Sequence, residues 1–450
     1  MVSNSARSLY RSIRFLRKYL VAGSCLAGTV ATTYGYISKS ESVKTNFIPA
    51  IYAEEHFDTL GKQNTNAAPL YRIVLTGGPC AGKSSALTRL SERLQALGFQ
   101  VFTVAEVATL LLTGGATFKP DMTLDEIITW ESGLLKTQMS LEDAFTAIAK
   151  ASGKPTVILC DRGVMDGSAY LDKPTWEALL DQNGWSEPKL RDARYDCVVH
   201  LVTAAIGAEN YYTLANNLAR TESKEVAAEL DVKLREAYLG HSNVYMIDNS
   251  TGFEEKIARV LDVVSHKVGF PRPANYRRRF LLKGEQLIDT ILSSKYATQE
   301  IAIEQTFLKV DEDDPNVRRK IVKRGQSGVN NFTLTTTIKS EDGKEETEVS
   351  RPISAKTFVS LMAQRDPNRV PVCKTIRTFV HKENYLEVHT YTSPKHGKGV
   401  SVLQVEVDPK VKFDVRGGSL PKFLEDFVDH EVTDDEKYQS CGFSKKLSGE

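Results

Sequence analysis

Between a short β-branched run at residues 71–76 (YRIVLT) and a stretch of helical periodicity at residues 86–97 stands the segment GGPCAGKSS, Gly77, Gly78, Pro79, Cys80, Ala81, Gly82, Lys83, Ser84 and Ser85. Its first eight residues match G-x-x-x-x-G-K-[ST], and strand, glycine loop, helix is the order this pattern requires. Glycines let backbone N–H groups converge on phosphate oxygens, and the helix N-terminus adds partial positive charge. Lys83 is expected to reach the β and γ phosphates of a nucleoside triphosphate, and Ser84 to ligate magnesium. The segment predicts an α/β P-loop NTPase domain over residues 70–270, a parallel sheet with helices on both faces. Its expected cofactor is Mg2+ with GTP or ATP.

Downstream residues fit that frame. A second strand over residues 100–105 leaves Glu106 at its carboxyl end, where ligands sit in open parallel sheets. Residues 124–150 have helical texture, with Gln138 and Glu142 one turn apart. Residues 156–160 (TVILC) form a buried strand ending in Asp161-Arg162-Gly163. Asp161 is placed to hold the magnesium shell, as a Walker B acid does, or to cap the next helix as a turn residue. Arg162 beside it suits phosphate. A fourth strand spans residues 195–202 (YDCVVHLV), and Asn216 to Glu222, with Arg220, opens a helix running to about Tyr238. No Asn-Lys-x-Asp guanine motif occurs, so the residues themselves do not choose GTP over ATP.

The succession GGPCAGKSS, Glu106, TQMSLEDAF, CDRGVMDGSAY, Arg220 and VYMIDN resembles the P-loop family of AAA_28 type that includes the ribosylnicotinamide kinase domain and the translocation-defect GTP-binding proteins. The resemblance implies GTP. It also implies that Glu106 is a base activating a hydroxyl and Arg220 a lid residue stabilising the transferring phosphoryl group, with Asp161 and Arg162 beside them. A surface ion pair is the other reading of Arg220.

After Glu300 the texture changes from helical to alternating. Residues 301–310, 317–325, 331–340, 374–382, 384–391 and 400–408 are six strand-like runs with period-two patterning and turn signals between them. They predict an α+β antiparallel β-barrel over residues 296–430, entered through a linker at 271–295 marked by Pro271, Pro273 and Arg277-Arg278-Arg279, and followed by a flexible tail at 431–450. Arg318, Lys320, Arg324, Thr335, Thr337, Lys339, Lys374 and Arg377 are expected to line the lumen and bind phosphate, with Glu304, Glu387 and Glu406 as metal-binding acids. The competing reading makes these residues the solvated face of an ordinary sandwich.

The strand order is similar to the CYTH-like triphosphate tunnel, and its fusion to a P-loop domain resembles the translocation-defect proteins. Two departures stand out. The expected E-x-E-x-K strand aligns with Ala302, Glu304 and Thr306, and a later E-x-E pair reads Gln404, Glu406. With acids missing, the lumen suits holding an anion better than hydrolysing one. The resemblance implies a phosphoinositide headgroup or polyphosphate as that ligand. The expected function is therefore a GTP-binding, slowly hydrolysing regulatory protein whose barrel binds a phosphorylated ligand. A nucleoside-type kinase and a tunnel triphosphatase are the alternatives.

Lys plus Arg number 58 against 57 Asp plus Glu, a formal charge of +1, so no global field draws the chain to nucleic acid and any anion site must be local. The six cysteines form no Cys-x-x-Cys pair, which argues for reducing surroundings. Arg7, Arg11, Arg14, Arg17 and Lys18 precede the first acid, Glu41, and oppose Leu9, Ile13, Leu16 and Leu20 on a helix. Residues 1–40 are thus expected to be a mitochondrial targeting segment. The alternative is a membrane anchor over the uncharged residues 20–37, with the protein facing the cytosol. Residues 41–69 are expected to be a linker.

Overall fold

The computed structural model describes residues 68–446, apart from 120, 213–222, 274–275, 311–314, 341–344 and 408–412. The targeting segment, almost all of the 41–69 linker and Arg220 lie outside the described residues.

The first half is a five-stranded parallel sheet of order β2-β3-β1-β4-β5, with β1 Leu70–Thr76, β2 Gln100–Val104, β3 Thr156–Asp161, β4 Cys197–Leu201 and β5 Val244–Ile247. Ile73, Val74, Leu75, Val157, Ile158, Leu159, Val198 and Val199 are fully buried, because both faces of a parallel sheet are covered by crossover helices. On one face α1 (Lys83–Ala96) and α7 (Phe253–Lys267) bring Leu90, Leu94, Val260 and Val264. On the other, α3 (Leu124–Ser152) and α4 (Lys173–Asn183) bring Leu135, Trp176 and Leu179. Thr123 and Glu126 close a capping box on α3, which ends at left-handed Gly153. Three short pieces complete this half: α2 (Val107–Thr113), α5 (Glu187–Arg191) and α6 (Lys224–Glu236).

The second half is a ten-stranded sheet of order β15-β7-β14-β13-β12-β8-β9-β10-β11-β6. Its strands are β6 Arg272–Pro273, β7 Arg277–Leu282, β8 Gln299–Phe307, β9 Val317–Gln326, β10 Val329–Lys339, β11 Glu345–Pro352, β12 Val372–His381, β13 Asn384–Ser393, β14 Ser401–Glu406 and β15 Val428–Glu431, all antiparallel to their neighbours. Its outer face carries most of its apolar packing. Phe280, Leu282, Phe379, Leu386, Leu403 and Val405 pack with Ile288 and Leu292 of α8 (Glu285–Lys295), while Ile321 and Leu334 pack with Phe358 of α9 (Ala355–Met362). The inner face is largely polar, and the sheet curls around it. Arg277 Nη2 of β7 lies 3.9 Å from Glu348 Oε1 of β11, strands near opposite ends of the ladder. Among the described residues no strand pairing joins the two ends, so the architecture is a curled antiparallel sheet.

Two expected connections are structured. The segment read as a linker at 271–295 holds β6, β7 and α8. Its three consecutive arginines hide a strand in which Phe280 and Leu282 are buried on the outer face. The segment read as a flexible tail holds the end of β15 and a short helix, Ser440–Phe443, whose buried Phe443 packs on Tyr391 with ring centroids 4.3 Å apart.

Candidate functional site

The loop joining β1 to α1 is shaped by glycines where no other residue fits. Gly77 has φ 132, and a Cβ there would come within 2.0 Å of the Leu201 carbonyl oxygen. Gly82, at φ 94, is the residue on which α1 begins. Lys83 Nζ lies 2.9 Å from the Gly77 carbonyl oxygen and 3.1 Å from that of Gly78. Burial and the nearby Arg162 lower its pKa to about 8, against the opposing pull of Asp161, Glu106 and Asp166.

Around that lysine the strand ends converge. Arg162, at φ 71, donates through Nε to Glu106 at 2.6 Å and through Nη1 to Asp166 at 3.1 Å. Asp166 is itself fixed by Thr76 at 2.8 Å and Tyr238 at 2.7 Å. Burial alone would raise the Glu106 carboxyl, but Arg162 and the Thr109 hydroxyl hold it down to about 2. In this arrangement Glu106 is an ionised carboxylate paired with Arg162. Gln138 and Glu142 brace the same group from α3: Gln138 donates to Glu142 at 2.9 Å and to the Arg162 carbonyl at 3.3 Å.

Asp161 differs from its neighbours. Its Oδ1 is buried without a hydrogen-bond partner, and burial raises its pKa. A buried carboxylate oxygen left unpaired costs free energy, and a magnesium shell would supply the missing partner. With Ser84 it provides oxygen donors beside the phosphate loop, so these residues fit a nucleotide-bound Mg2+. Among the described residues no cluster of three or more His, Cys, Asp or Glu forms a metal site without such a ligand.

The loop opens onto a cavity of about 590 Å³ lined by Lys83, Ser84, Ser85, Glu106, Trp130, Glu131, Leu134, Asp161, Arg162 and Tyr170. Glu131 is 6% exposed, and burial pushes its pKa up to about 7. Sequence reading missed Glu131, which carries no motif, and also Asp231. Asp231 is fully buried on α6, and its Oδ1 accepts from the N–H groups of Gly78 at 3.0 Å and Thr203 at 2.9 Å.

The second cluster lies on the inner face of the ten-stranded sheet. Register places Lys320 beside Thr335, Thr337 opposite both Arg318 and Glu348, and Glu387 opposite Gln404. Lys374 sits on the same face, 6% exposed, with Nζ 3.0 Å from His389 Nδ1. Burial together with Lys320, Arg279 and Arg277 lowers it to about 7, although Glu387 pulls the other way. Arg318 reaches Glu436 at 3.2 Å, Arg324 donates to the Gly240 carbonyl, Thr335 bonds Ser350 at 2.8 Å and Lys339 is exposed. Three arginines that sequence reading left in a linker join the cluster. Arg277 grips Glu406 at 2.7 Å, Arg272 Nη1 lies 3.7 Å from the same carboxylate, and Arg279 donates to Gln404 at 3.2 Å.

Two expected members are on the other face. Arg377 pairs with Glu300, and Glu304 lies 3.7 Å from Lys323, both on the outer side. The cause is the period of two: inner-facing Lys374 and Ile376 alternate with Arg377, and inner-facing Ile303 with Glu304. The sheet also begins, in chain order, with β6 and β7, so the strand aligned at Ala302 to Thr306 is not its first. Glu387 and Glu406 do face inward, but His389 Nε2 at 2.8 Å, Gln404 at 3.0 Å and Arg277 engage them, and no metal cluster forms among the described residues.

Residues 72–256 match the family model described as an AAA domain. This part of the chain is a P-loop NTPase-like, nucleotide-binding domain. No curated protein matches the chain. Among solved structures the chain is similar to the PH1819 protein from Pyrococcus horikoshii OT3, at 13% identity over 34% of this chain and 91% of that one; the TM-score of 0.26 supports no argument from it.

Proposed function

We propose that the P-loop domain binds GTP or ATP with Mg2+ as a slow, regulatory NTPase, and that the inner face of the curled sheet, closed as a CYTH-like barrel, binds a phosphorylated ligand. Lys83 would hold the β and γ phosphates, Ser84 and Asp161 the magnesium, and Arg162 and Arg220 the transferring group. Bound Mg2+ would bridge phosphate oxygens and neutralise part of their charge.

One observation carries the inner-face reading. Lys374 is a buried cation and Arg279 a half-buried one, and neither has a carboxylate within ion-pair distance among the described residues. A buried charge without a counter-charge is costly, and a polyanion with several phosphate oxygens would remove that cost. Inositol phosphates and inorganic polyphosphate offer that chemistry. The N-terminal segment is proposed to direct the chain to mitochondria, or to anchor it facing the cytosol, where phosphoinositides would be in reach.

A second reading, a small-molecule kinase, is favoured by the cavity of about 590 Å³, whose lining continues from Lys83 and Ser84 of the phosphate loop to Trp130, Glu131, Leu134 and Tyr170, groups that could receive an acceptor. Calorimetry with Mg-ATP, Mg-GTP and inositol hexakisphosphate, run beside phosphate release, separates these readings. Uncleaved inositol phosphate and slow turnover support the regulatory one. Rapid phosphorylation of an added nucleoside such as nicotinamide riboside would replace it with the kinase, and rapid tripolyphosphate cleavage would replace it with the tunnel hydrolase.

A further inference from the structure

Asp231 and Arg235 form a buried pair that touches both halves of the molecule. Asp231 Oδ1 holds the Gly78 N–H of the phosphate loop, and its Oδ2 accepts from Arg235 Nε at 2.8 Å, one turn further along α6. His200 Nε2 lies 3.2 Å from the same Oδ2. Burial alone would raise the Asp231 carboxyl, but His200, Arg235 and the Gly78 N–H hold it well below the usual carboxylate range. Arg235 is 3% exposed, and its Nη1 donates to the Lys382 carbonyl at 2.6 Å. Lys382, at φ 53, is in the turn between β12 and β13, the strands that carry Lys374, Glu387 and His389.

The chain leaving α6 repeats the connection. The Gly240 N–H donates to Tyr385 Oη at 3.0 Å, Tyr385 Oη donates to the His241 carbonyl at 3.2 Å, and the Gly240 carbonyl accepts from Arg324. One helix and its exit loop thus contact the phosphate loop at one end and the β12–β13 hairpin at the other. The path runs through charged side chains, backbone groups and the Tyr385 hydroxyl, and its central pair, Asp231 and Arg235, is buried.

We propose that this pair couples the two sites: nucleotide phosphates in the loop act on the Gly78 to Asp231 bond, and Arg235 passes the change to the β12–β13 turn and the inner face. Triphosphate oxygens draw on the same loop N–H groups and repel the Asp231 carboxylate. Arg235 cannot follow Asp231 without altering its hold on Lys382, because its fork is planar and rigid. The inner-face half of this inference rests on the anion reading given above; the link to the turn does not.

Hydrogen exchange on the full chain tests it. Saturating Mg-ATP or Mg-GTP is expected to change exchange of the amides around residues 381–385 by about threefold or more. Arg235→Lys keeps a cation beside Asp231 but loses the fork, and it is expected to abolish that response while nucleotide still binds. Tyr385→Phe removes only the hydroxyl between Gly240 and His241; it is expected to weaken the response, and it decides the matter if Arg235→Lys does not fold. A hairpin indifferent to saturating nucleotide, or a response undiminished in the folded variants, overturns the proposal. Titration of inositol hexakisphosphate with and without saturating nucleotide is expected to show affinities differing about fivefold or more, with the reciprocal shift in nucleotide affinity. If it binds in neither state, the anion reading falls and the exchange result alone decides the link to the turn.

Discussion

The two clusters of positive charge in this molecule are built differently. At the phosphate loop, Lys83 and Arg162 stand among Glu106, Asp161 and Asp166, so each cation has acids beside it. On the inner face Arg277 and Arg272 have Glu406, but among the described residues Arg279 donates to Gln404, and Lys374 meets His389, the Ser440 hydroxyl and the Tyr391 ring, with no carboxylate at ion-pair distance from either. A near-neutral cradle suits a ligand that brings its own cation, as Mg-nucleotide does. A face with uncompensated cations suits a bare anion.

The largest effect that would sharpen this contrast is at the loop. Lys83→Ala removes charge-assisted contacts to phosphate of ~1.5–3 kcal/mol each, so nucleotide affinity measured by calorimetry should fall roughly 100-fold. Inositol phosphate binding should stay within about twofold. If both fall together, the two clusters are one site.

Next comes Lys374→Met. Loss of one buried cation should weaken inositol hexakisphosphate by about tenfold and leave nucleotide affinity unchanged. The same substitution should raise the melting temperature of the unliganded chain, because it removes a buried charge whose desolvation costs about 1–3 kcal/mol. A lower melting temperature would mean that Lys374 is already satisfied and would remove the main support for the anion reading.

The pH dependence gives a smaller, signed test. The folded-state pKa of Lys374, about 7, lies below the ordinary lysine value, so between about pH 7 and 10 the unfolded chain binds a proton that the folded chain lacks. Unliganded stability should therefore rise with pH across that window, and Lys374→Met should remove that rise. Anion binding has the opposite sign. It requires the charged lysine, so affinity should decline from pH 6 to pH 8 by up to about tenfold more in the parent chain than in the variant, the ligand's own titration being common to both.

The contrast also explains what could be read from sequence. The phosphate loop is legible because strand, glycines, lysine and helix are contiguous and each is demanded by local chemistry. The strands of the second half are legible from alternation, but their inward face is not, because both parities carry charges. One signal was present: Lys374 and Arg377 are three apart and cannot share a face of a strand. β7 was hidden because three consecutive arginines mask its alternation, and β11 because EETEVSRP has no apolar stripe. The Asp231–Arg235 pair has the spacing of any exposed helical ion pair, and only the tertiary fold buries it.

A further effect concerns the cavity beyond Lys83. Glu131 is a buried carboxyl whose pKa, about 7, is raised above the ordinary value, so the folded chain binds a proton that the unfolded chain lacks between about pH 4.5 and 7. Its protonated form is the stable one, and stability should fall as pH rises through that window. Glu131→Gln supplies an uncharged side chain of the same shape and should raise stability at pH 8 by on the order of 2 kcal/mol, with little change at pH 5. Thermal melts at the two pH values check this. If the variant also leaves nucleotide turnover unchanged, the cavity belongs to the regulatory reading. If instead phosphorylation of an added nucleoside is lost while nucleotide affinity holds, Glu131 contacts an acceptor, and the charge-balanced cradle serves transfer to that acceptor rather than slow hydrolysis.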